Sequence, residues 1–175
     1  MKKLLLLLTL LCVFSISLFA QSSSSAKTGK WNFGLDLGLP LGDLHDAYSS
    51  VIGASVKYEY PLSTSTFVTL SAGYNRYLFT DYLKQYFKSF GENRTSKGMI
   101  PIKIGVKHYF GGNLFVDGQI GREYSTQKNG GSSFIYAPGV GYTFKNGFEA
   151  GVSFNGYREN NSNSSVAALR LGFRF

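Results

Sequence analysis

The chain has 175 residues, 43% of them hydrophobic and 16% aromatic, with charged side chains held to 16%; such a composition buries a core and excludes a disordered tail or a charged coiled coil. Eighteen Lys and Arg against ten Asp and Glu give a formal net charge of +8. The single cysteine, Cys12, lies in the first twenty residues, which excludes thiol nucleophiles and cysteine-held metal from the remainder.

Residues 1–20 read as an export signal. Lys2 and Lys3 precede an apolar run from Leu4 to Phe19, and Ala20 before Gln21 offers a small residue for cleavage. The run of about 16 apolar residues is short of the ~20 that span a bilayer as a helix. Without this segment sixteen basic groups face ten acidic ones, net +6. For an exported chain the expected counterpart of that charge is an anionic membrane surface, and nucleic acid is not expected as a partner. Residues 21–30, QSSSSAKTGK, read as a flexible leader, and residues 31–175 as one domain.

From Trp31 onward the hydrophobic pattern has a period of two. Trp31, Phe33, Leu35, Leu37 and Leu39 alternate with Asn32, Gly34, Asp36 and Gly38, the mark of a strand with two different faces. The same alternation recurs at Ile52–Tyr60, Val68–Tyr74, Ile100–Val106, Leu114–Ile120, Phe134–Phe144, Phe148–Phe154 and Ala167–Phe175, which makes eight strands. Long connections (40–50, 80–98, 123–132, 158–165) are expected to alternate with tight turns (61–65, 111–113, 145–147) carrying Gly, Asn and Pro. An even number of strands of about 9 to 13 residues, with long loops at one end and short turns at the other, predicts an all-β, eight-stranded antiparallel up-and-down transmembrane β-barrel.

The polar face is unusually small, with Gly34, Gly38, Gly53, Gly73, Gly105, Gly121, Gly139, Gly141, Gly151 and Gly172 on it. A water-facing strand gains nothing from so many glycines, whereas in a narrow lumen they leave room for long neighbours. Lys57, Glu59, Lys103, Lys107, Asp117, Glu149, Arg170 and Arg174 are therefore expected inside, paired with one another. Aromatics at strand ends predict two interfacial girdles: Trp31, Tyr58, Tyr60, Tyr109, Phe110, Tyr142, Phe144, Phe148, Phe173 and Phe175 at the short turns, and Tyr74, Phe134, Tyr136 and Phe154 at the long loops.

The 80–98 connection contains a helical pattern, TDYLKQYFKSFG, with Tyr82, Leu83, Tyr86, Phe87 and Phe90 on one stripe, Lys84 and Lys88 beside it, Thr80 or Asp81 as N-cap and Gly91 as stop. Two readings stay open for it. The loop folds over the barrel mouth, or the helix rests on the outer leaflet with Lys84, Lys88, Arg94 and Lys97 near lipopolysaccharide phosphates or a docked protein. His45 stands between Asp43 and Asp46 with Ser49 and Ser50 nearby. Nothing but proximity suggests a nucleophilic triad there, so a polar loop is expected. His108 is expected in the lipid-facing girdle, and two isolated histidines do not make a metal site.

The stretches MIPIKIGVKHYF (99–110), NLFVDGQIG (113–121), IYAPGVGYTF (135–144), NGFEAGVSFNGY (146–157) and the terminal LRLGFRF (169–175) resemble the outer-membrane β-barrel domain proteins related in architecture to OmpA and OmpX. The resemblance covers the whole of residues 31–175. It implies a Gram-negative outer-membrane location and a terminal signal, Leu169, Leu171, Phe173 and Phe175, read by the barrel-assembly machinery. It implies no single activity. The expectation is a non-enzymatic barrel without a cofactor, in contact with outer-membrane lipid and lipopolysaccharide, with a structural or adhesive surface role. A small-solute channel and a soluble ligand-binding barrel are the alternatives.

Overall fold

Alternation gives every strand one apolar and one polar face, and the chain satisfies both by curling its strands into a closed cylinder. A computed structural model describes residues 28–128, 130–159 and 162–175; the expected export segment and most of the leader lie outside them. Eight strands follow in order, β1 (Lys30–Leu41), β2 (Tyr48–Pro61), β3 (Thr66–Phe79), β4 (Ser96–Phe110), β5 (Leu114–Ser125), β6 (Ser132–Thr143), β7 (Phe148–Glu159) and β8 (Ser162–Arg174). Two helices accompany them, α1 (Leu44–Ala47) and α2 (Asp81–Ser89). Each strand pairs antiparallel with its neighbours in sequence, and β1 with β8, in the order of an up-and-down barrel.

The register places like residues side by side around the outside. Leu70 lies opposite Ile104, Ile104 opposite Ile120, and Ile120 opposite Tyr136; on the other side Val140 meets Val152, Val152 meets Leu169, and Leu169 meets Leu37. Leu35, Leu70, Ile104, Ile120 and Val152 are each more than half exposed, while Asn32, Glu59, Thr69 and Lys107 are wholly enclosed. A barrel in water would have the opposite arrangement, so the soluble alternative is excluded by the direction of its faces.

Rings crowd both borders of the apolar belt. At the short-turn end Trp31 packs on Tyr58 at 4.8 Å between centroids, Phe33 stacks on Phe175 at 5.6 Å, and Tyr142 meets Phe144 at 4.9 Å. His108 faces outward there, its ring against Phe110 at 4.7 Å and its Nδ1 2.9 Å from Thr66 Oγ1. Tyr109 differs from the expectation: it points inward and is buried with Phe67 and Phe115. Its odd place in the alternation, next to outward His108 and Phe110, decides this. Tyr124, which falls in an expected loop, joins the opposite border with Tyr74, Phe134, Tyr136 and Phe154, all exposed.

The strands also run farther than the apolar alternation does. The expected long connection 158–165 is mostly strand, with Glu159 opposite Ser162, and the connection 123–132 contracts to 126–131. Only 80–95 is long. Beyond the belt the two faces exchange character, with exposed Arg76, Arg122 and Arg158 outside and buried Val51, Tyr77, Met99, Ile135, Tyr157 and Val166 inside. The period of two persists there with reversed sense, as in a barrel that meets water.

The glycines need a second correction. Only some make room for polar side chains: a Cβ on Gly34 would stand 2.5 Å from the guanidinium carbon of Arg170. Others lie against backbone, as Gly73 does, where a Cβ would come 2.8 Å from the Ala54 carbonyl oxygen. Gly118 faces outward with open space around it.

The belt predicts a depth dependence. Ile104→Arg should cost about 2–4 kcal/mol in equilibrium unfolding from lipid vesicles, and Phe144→Arg at the turn border about 0–1 kcal/mol. Equal costs at the two positions would contradict the assigned faces.

Candidate functional site

Two regions hold the side chains with chemical potential, the lumen and the loop end. In the lumen, Lys107 lies at the centre of a layer near the short turns. Its Nζ donates to Glu59 Oε1 at 2.9 Å and to Glu149 Oε2 at 2.5 Å. Arg174 Nε donates to the second Glu59 oxygen at 2.7 Å, and Thr143 Oγ1 donates to Glu149 Oε2 at 3.0 Å. Aromatic faces complete the layer: Lys107 Nζ is 4.1 Å from the Phe115 centroid, and the Arg174 guanidinium is 4.7 Å from that of Phe67. Neither Lys107 nor Glu59 has measurable exposure, so this layer fills the barrel's cross-section.

Farther along, Lys57 Nζ donates to Asp117 Oδ2 at 2.7 Å, Gln119 Nε2 donates to the same oxygen at 2.8 Å, and Ser71 Oγ donates to Gln119 Oε1 at 2.9 Å. Arg170, over Gly34, donates through Nη2 to Asn32 Oδ1 at 2.7 Å and through Nη1 to Ser55 Oγ and, at 3.4 Å, to Asp36. Ser55 Oγ in turn donates to Asp36 Oδ2 at 2.5 Å. Lys103 lines a small cavity of about 40 Å³ with Asp36, Ser55 and Asn155. The expected lumen residues are thus brought together. Asn32 and Asp36, read on the polar face of the first strand, belong to the same interior, as do Gln119 and Glu123, which the sequence reading did not name, Glu123 because it was placed in a loop. Their signal was parity alone: each occupies an inward position of its strand.

The described inner walls carry Lys57, Lys103, Lys107, Arg170 and Arg174 with Asp36, Glu59, Asp117 and Glu149, and Lys97 and Glu123 line the cavity at the mouth. Burying a charge without a partner is expensive, so inward charges of both signs occur together.

At the loop end, α2 starts after Thr80, whose Oγ1 donates to the Asp46 carbonyl at 3.1 Å and whose N–H donates to that of Ala47 at 3.0 Å. It stops at Gly91, where φ is +78°. The expected single stripe divides. Phe87 packs on Phe79 at 5.3 Å, with the Arg94 guanidinium 5.7 Å from its centroid, and Leu83 is half-buried. Tyr82, Tyr86 and Phe90 remain 77%, 52% and 69% exposed. The loop therefore does not bury its rings over the mouth, because one ring contact and the Thr80 bonds hold the helix while its other side faces away. Lys84 pairs with Asp81 at 2.9 Å, and Lys88 is exposed.

His45 is exposed on α1. Among the described residues no side-chain hydrogen bond joins it to Asp43, Asp46, Ser49 or Ser50; Ser49 Oγ donates instead to the Leu78 carbonyl. Leu169, Leu171 and Phe173 face outward on β8, and Phe175, just past its end, is exposed as well.

In fold the chain is similar to Ail, the attachment invasion locus protein of Yersinia pestis (TM-score 0.57, 15% identity, 84% of this chain and 97% of that one). It is similar also to the N-terminal β-barrel domain of Pseudomonas aeruginosa OprF (TM-score 0.55, 17% identity, 85% and 100%) and to Neisserial surface protein A (TM-score 0.52, 13% identity, 83% and 95%). At these identities the likeness is one of fold, that of eight-stranded transmembrane barrels of the outer-membrane type. No family model and no curated relative matches the sequence.

The Lys107 layer sets a stability test. Lys107→Met leaves the buried Glu149 without its cation, while Glu59 keeps Arg174, and should cost about 3–5 kcal/mol. Adding Glu149→Gln should restore most of that loss. Urea unfolding in vesicles, followed through the fluorescence of the one tryptophan, Trp31, measures both.

Proposed function

We propose that the chain is an integral outer-membrane protein of a Gram-negative envelope, exported through residues 1–20, that acts by surface interaction and neither conducts solutes nor catalyses a reaction. The observation that carries this reading is the packed lumen layer: Lys107, Glu59 and Glu149 are ion-paired and closed off from water, as suits an eight-stranded barrel filled by side chains. Chemistry is then left to the loop end. There Tyr82 and Tyr86 on α2 and Phe90 at its end are exposed, and the same end of the barrel carries exposed Arg76, Lys88, Arg94, Arg122, Lys128 and Arg158.

The outward arginines Arg76, Arg122 and Arg158 lie just beyond the apolar belt, at the level where lipopolysaccharide phosphates would meet them. Lys84, Lys88 and Arg94 on the 80–95 loop suit a polyanionic or protein partner of an adhesive kind, whereas Lys97 turns inward to the cavity at the mouth. Support comes also from Yersinia pestis Ail, an attachment protein by name, solved in complex with the heparin analogue sucrose octasulfate. Leu169, Leu171, Phe173 and Phe175 act, in this reading, as the signal for the barrel-assembly machinery, since the strand that carries them is also the one that closes the barrel on β1.

Planar-bilayer recording of the refolded protein should give no discrete conductance steps; regular steps would overturn the closed lumen. Charge removal at Lys84, Lys88 and Arg94 by Gln should leave the heat-modifiable band intact and lower retention on immobilised heparin in detergent. Retention unchanged from the wild type would remove the loop from the binding surface. Deleting Phe175 should reduce the yield of barrel inserted by the assembly machinery while spontaneous refolding in detergent continues. Equal insertion with and without Phe175 would refute the signal.

A further inference from the structure

Four of the five lumen carboxylates hold a cation. Asp117 pairs with Lys57, Glu59 with Lys107 and Arg174, Glu149 with Lys107, and Asp36 with Arg170. Glu123, only 2% exposed, forms no ion pair among the described residues. It is held by two neutral donors, Asn75 Nδ2 at 3.1 Å from Oε1 and the Tyr77 hydroxyl at 2.9 Å from Oε2. These bonds fix the carboxylate's orientation, and no cation among the described residues meets it in direct contact.

Glu123 also lines a cavity of about 100 Å³ at the loop end, whose wall includes Tyr48, Tyr77, Lys97, Met99 and Tyr157. The two cations whose field reaches Glu123 are Lys97 and Lys103. Lys97 lines the cavity without pairing with the carboxylate, and Lys103 belongs to the separate cavity beside Asp36. We infer that the mouth cavity is a binding site for a small primary alkylammonium ion, its NH3+ group paired with Glu123 and its short chain lying among Tyr48, Tyr77, Met99 and Tyr157.

Three features select that chemistry. A buried carboxylate without a cation calls for a positive charge, and tyrosine faces and a thioether accept the stem and the edge of an ammonium group. A bare metal ion is a poor fit, because hard cations take six or more oxygens and no cluster of metal-ligating residues occurs among the described residues. Size sets the length: a cavity of about 150 Å³ holds benzene, so about 100 Å³ suits roughly three or four carbons.

The test uses the refolded, isotope-labelled barrel in zwitterionic micelles at neutral pH, titrated with propylammonium chloride against sodium chloride of equal ionic strength. The expected result is a saturable set of amide shifts centred on Tyr77, Met99, Glu123 and Tyr157, with Kd on the order of 1 mM for so small a ligand. Propan-1-ol, equal in size and uncharged, should bind at least about tenfold more weakly, as a one-charge difference in a buried pair requires. Glu123→Gln, which keeps the shape of the side chain, should weaken the ammonium by a similar factor while the spectrum stays that of a folded barrel. Equal response to propan-1-ol, to sodium chloride or in Glu123→Gln would overturn the site. Binding seen only in Lys103→Met would do so as well, since that lysine would then already neutralise Glu123. If Glu123→Gln fails to fold, the comparison of propylammonium with propan-1-ol on the wild type decides.

Discussion

Everything in this molecule follows from the pairing of its first strand with its last. Hydrocarbon offers no partner to a free N–H or C=O group, so a sheet in a bilayer must have no edge. Here Asn32 through Leu41 pair with Arg174 down to Ser165, and Trp31 and Phe175 exchange backbone hydrogen bonds of 3.0 and 2.9 Å. The residues that make this closure, Phe33 against Phe173, Leu35 against Leu171 and Leu37 against Leu169, are also the lipid-facing residues of both strands. One short segment thus completes the hydrogen-bond ladder and the apolar belt together.

Closure at eight strands decides the interior. The lumen is wide enough for side chains and too narrow for bulk water, so the ionic groups inside must neutralise one another. Lys107 answers two carboxylates and Glu59 answers two cations, which makes the layer a network whose members depend on each other. The glycines serve the same narrowness in two ways. Gly34 lets the Arg170 guanidinium lie flat on the wall, and Gly73 lets adjoining backbone approach. With charges of both signs paired inside the described walls, much of the positive excess of the chain falls at the ends and outside, and that distribution turns a basic composition into a basic loop-end surface.

At the loop end the demands of the membrane stop and those of water begin. The outward positions turn to Arg76, Arg122 and Arg158, and the inward ones to the cluster around Met99, Ile135 and Val166. This apolar cluster packs the inner wall at the loop end as the Lys107 layer does near the short turns. Glu123 lies at the boundary between the two regimes, under the apolar cluster and above the ion pairs, which accounts for its being the carboxylate without a cation. α2 stands outside this cluster, anchored through Phe87 on Phe79, and the rings of Tyr82, Tyr86 and Phe90 are exposed there, beyond the belt.

The sequence by itself determined the strand number, the lipid-facing residues and the inward parity of Lys57, Glu59, Lys107, Asp117, Glu149, Arg170 and Arg174. A strict period of two over an apolar belt permits only one face for each residue, so these assignments need no knowledge of neighbours. Strand ends were not legible, because beyond the belt the alternation reverses sense and an apolar-outward template ceases to match at Tyr77, Glu123 and Tyr157. Nor could the sequence say which carboxylate meets which cation. Lys57 and Asp117 are 60 residues apart and Arg170 and Asp36 are 134 apart, and only the stagger of eight closed strands brings such residues to one level. Tertiary structure alone therefore decided the pairing of the lumen charges and the solitary position of Glu123, since each depends on the height at which a strand sits against strands remote in sequence.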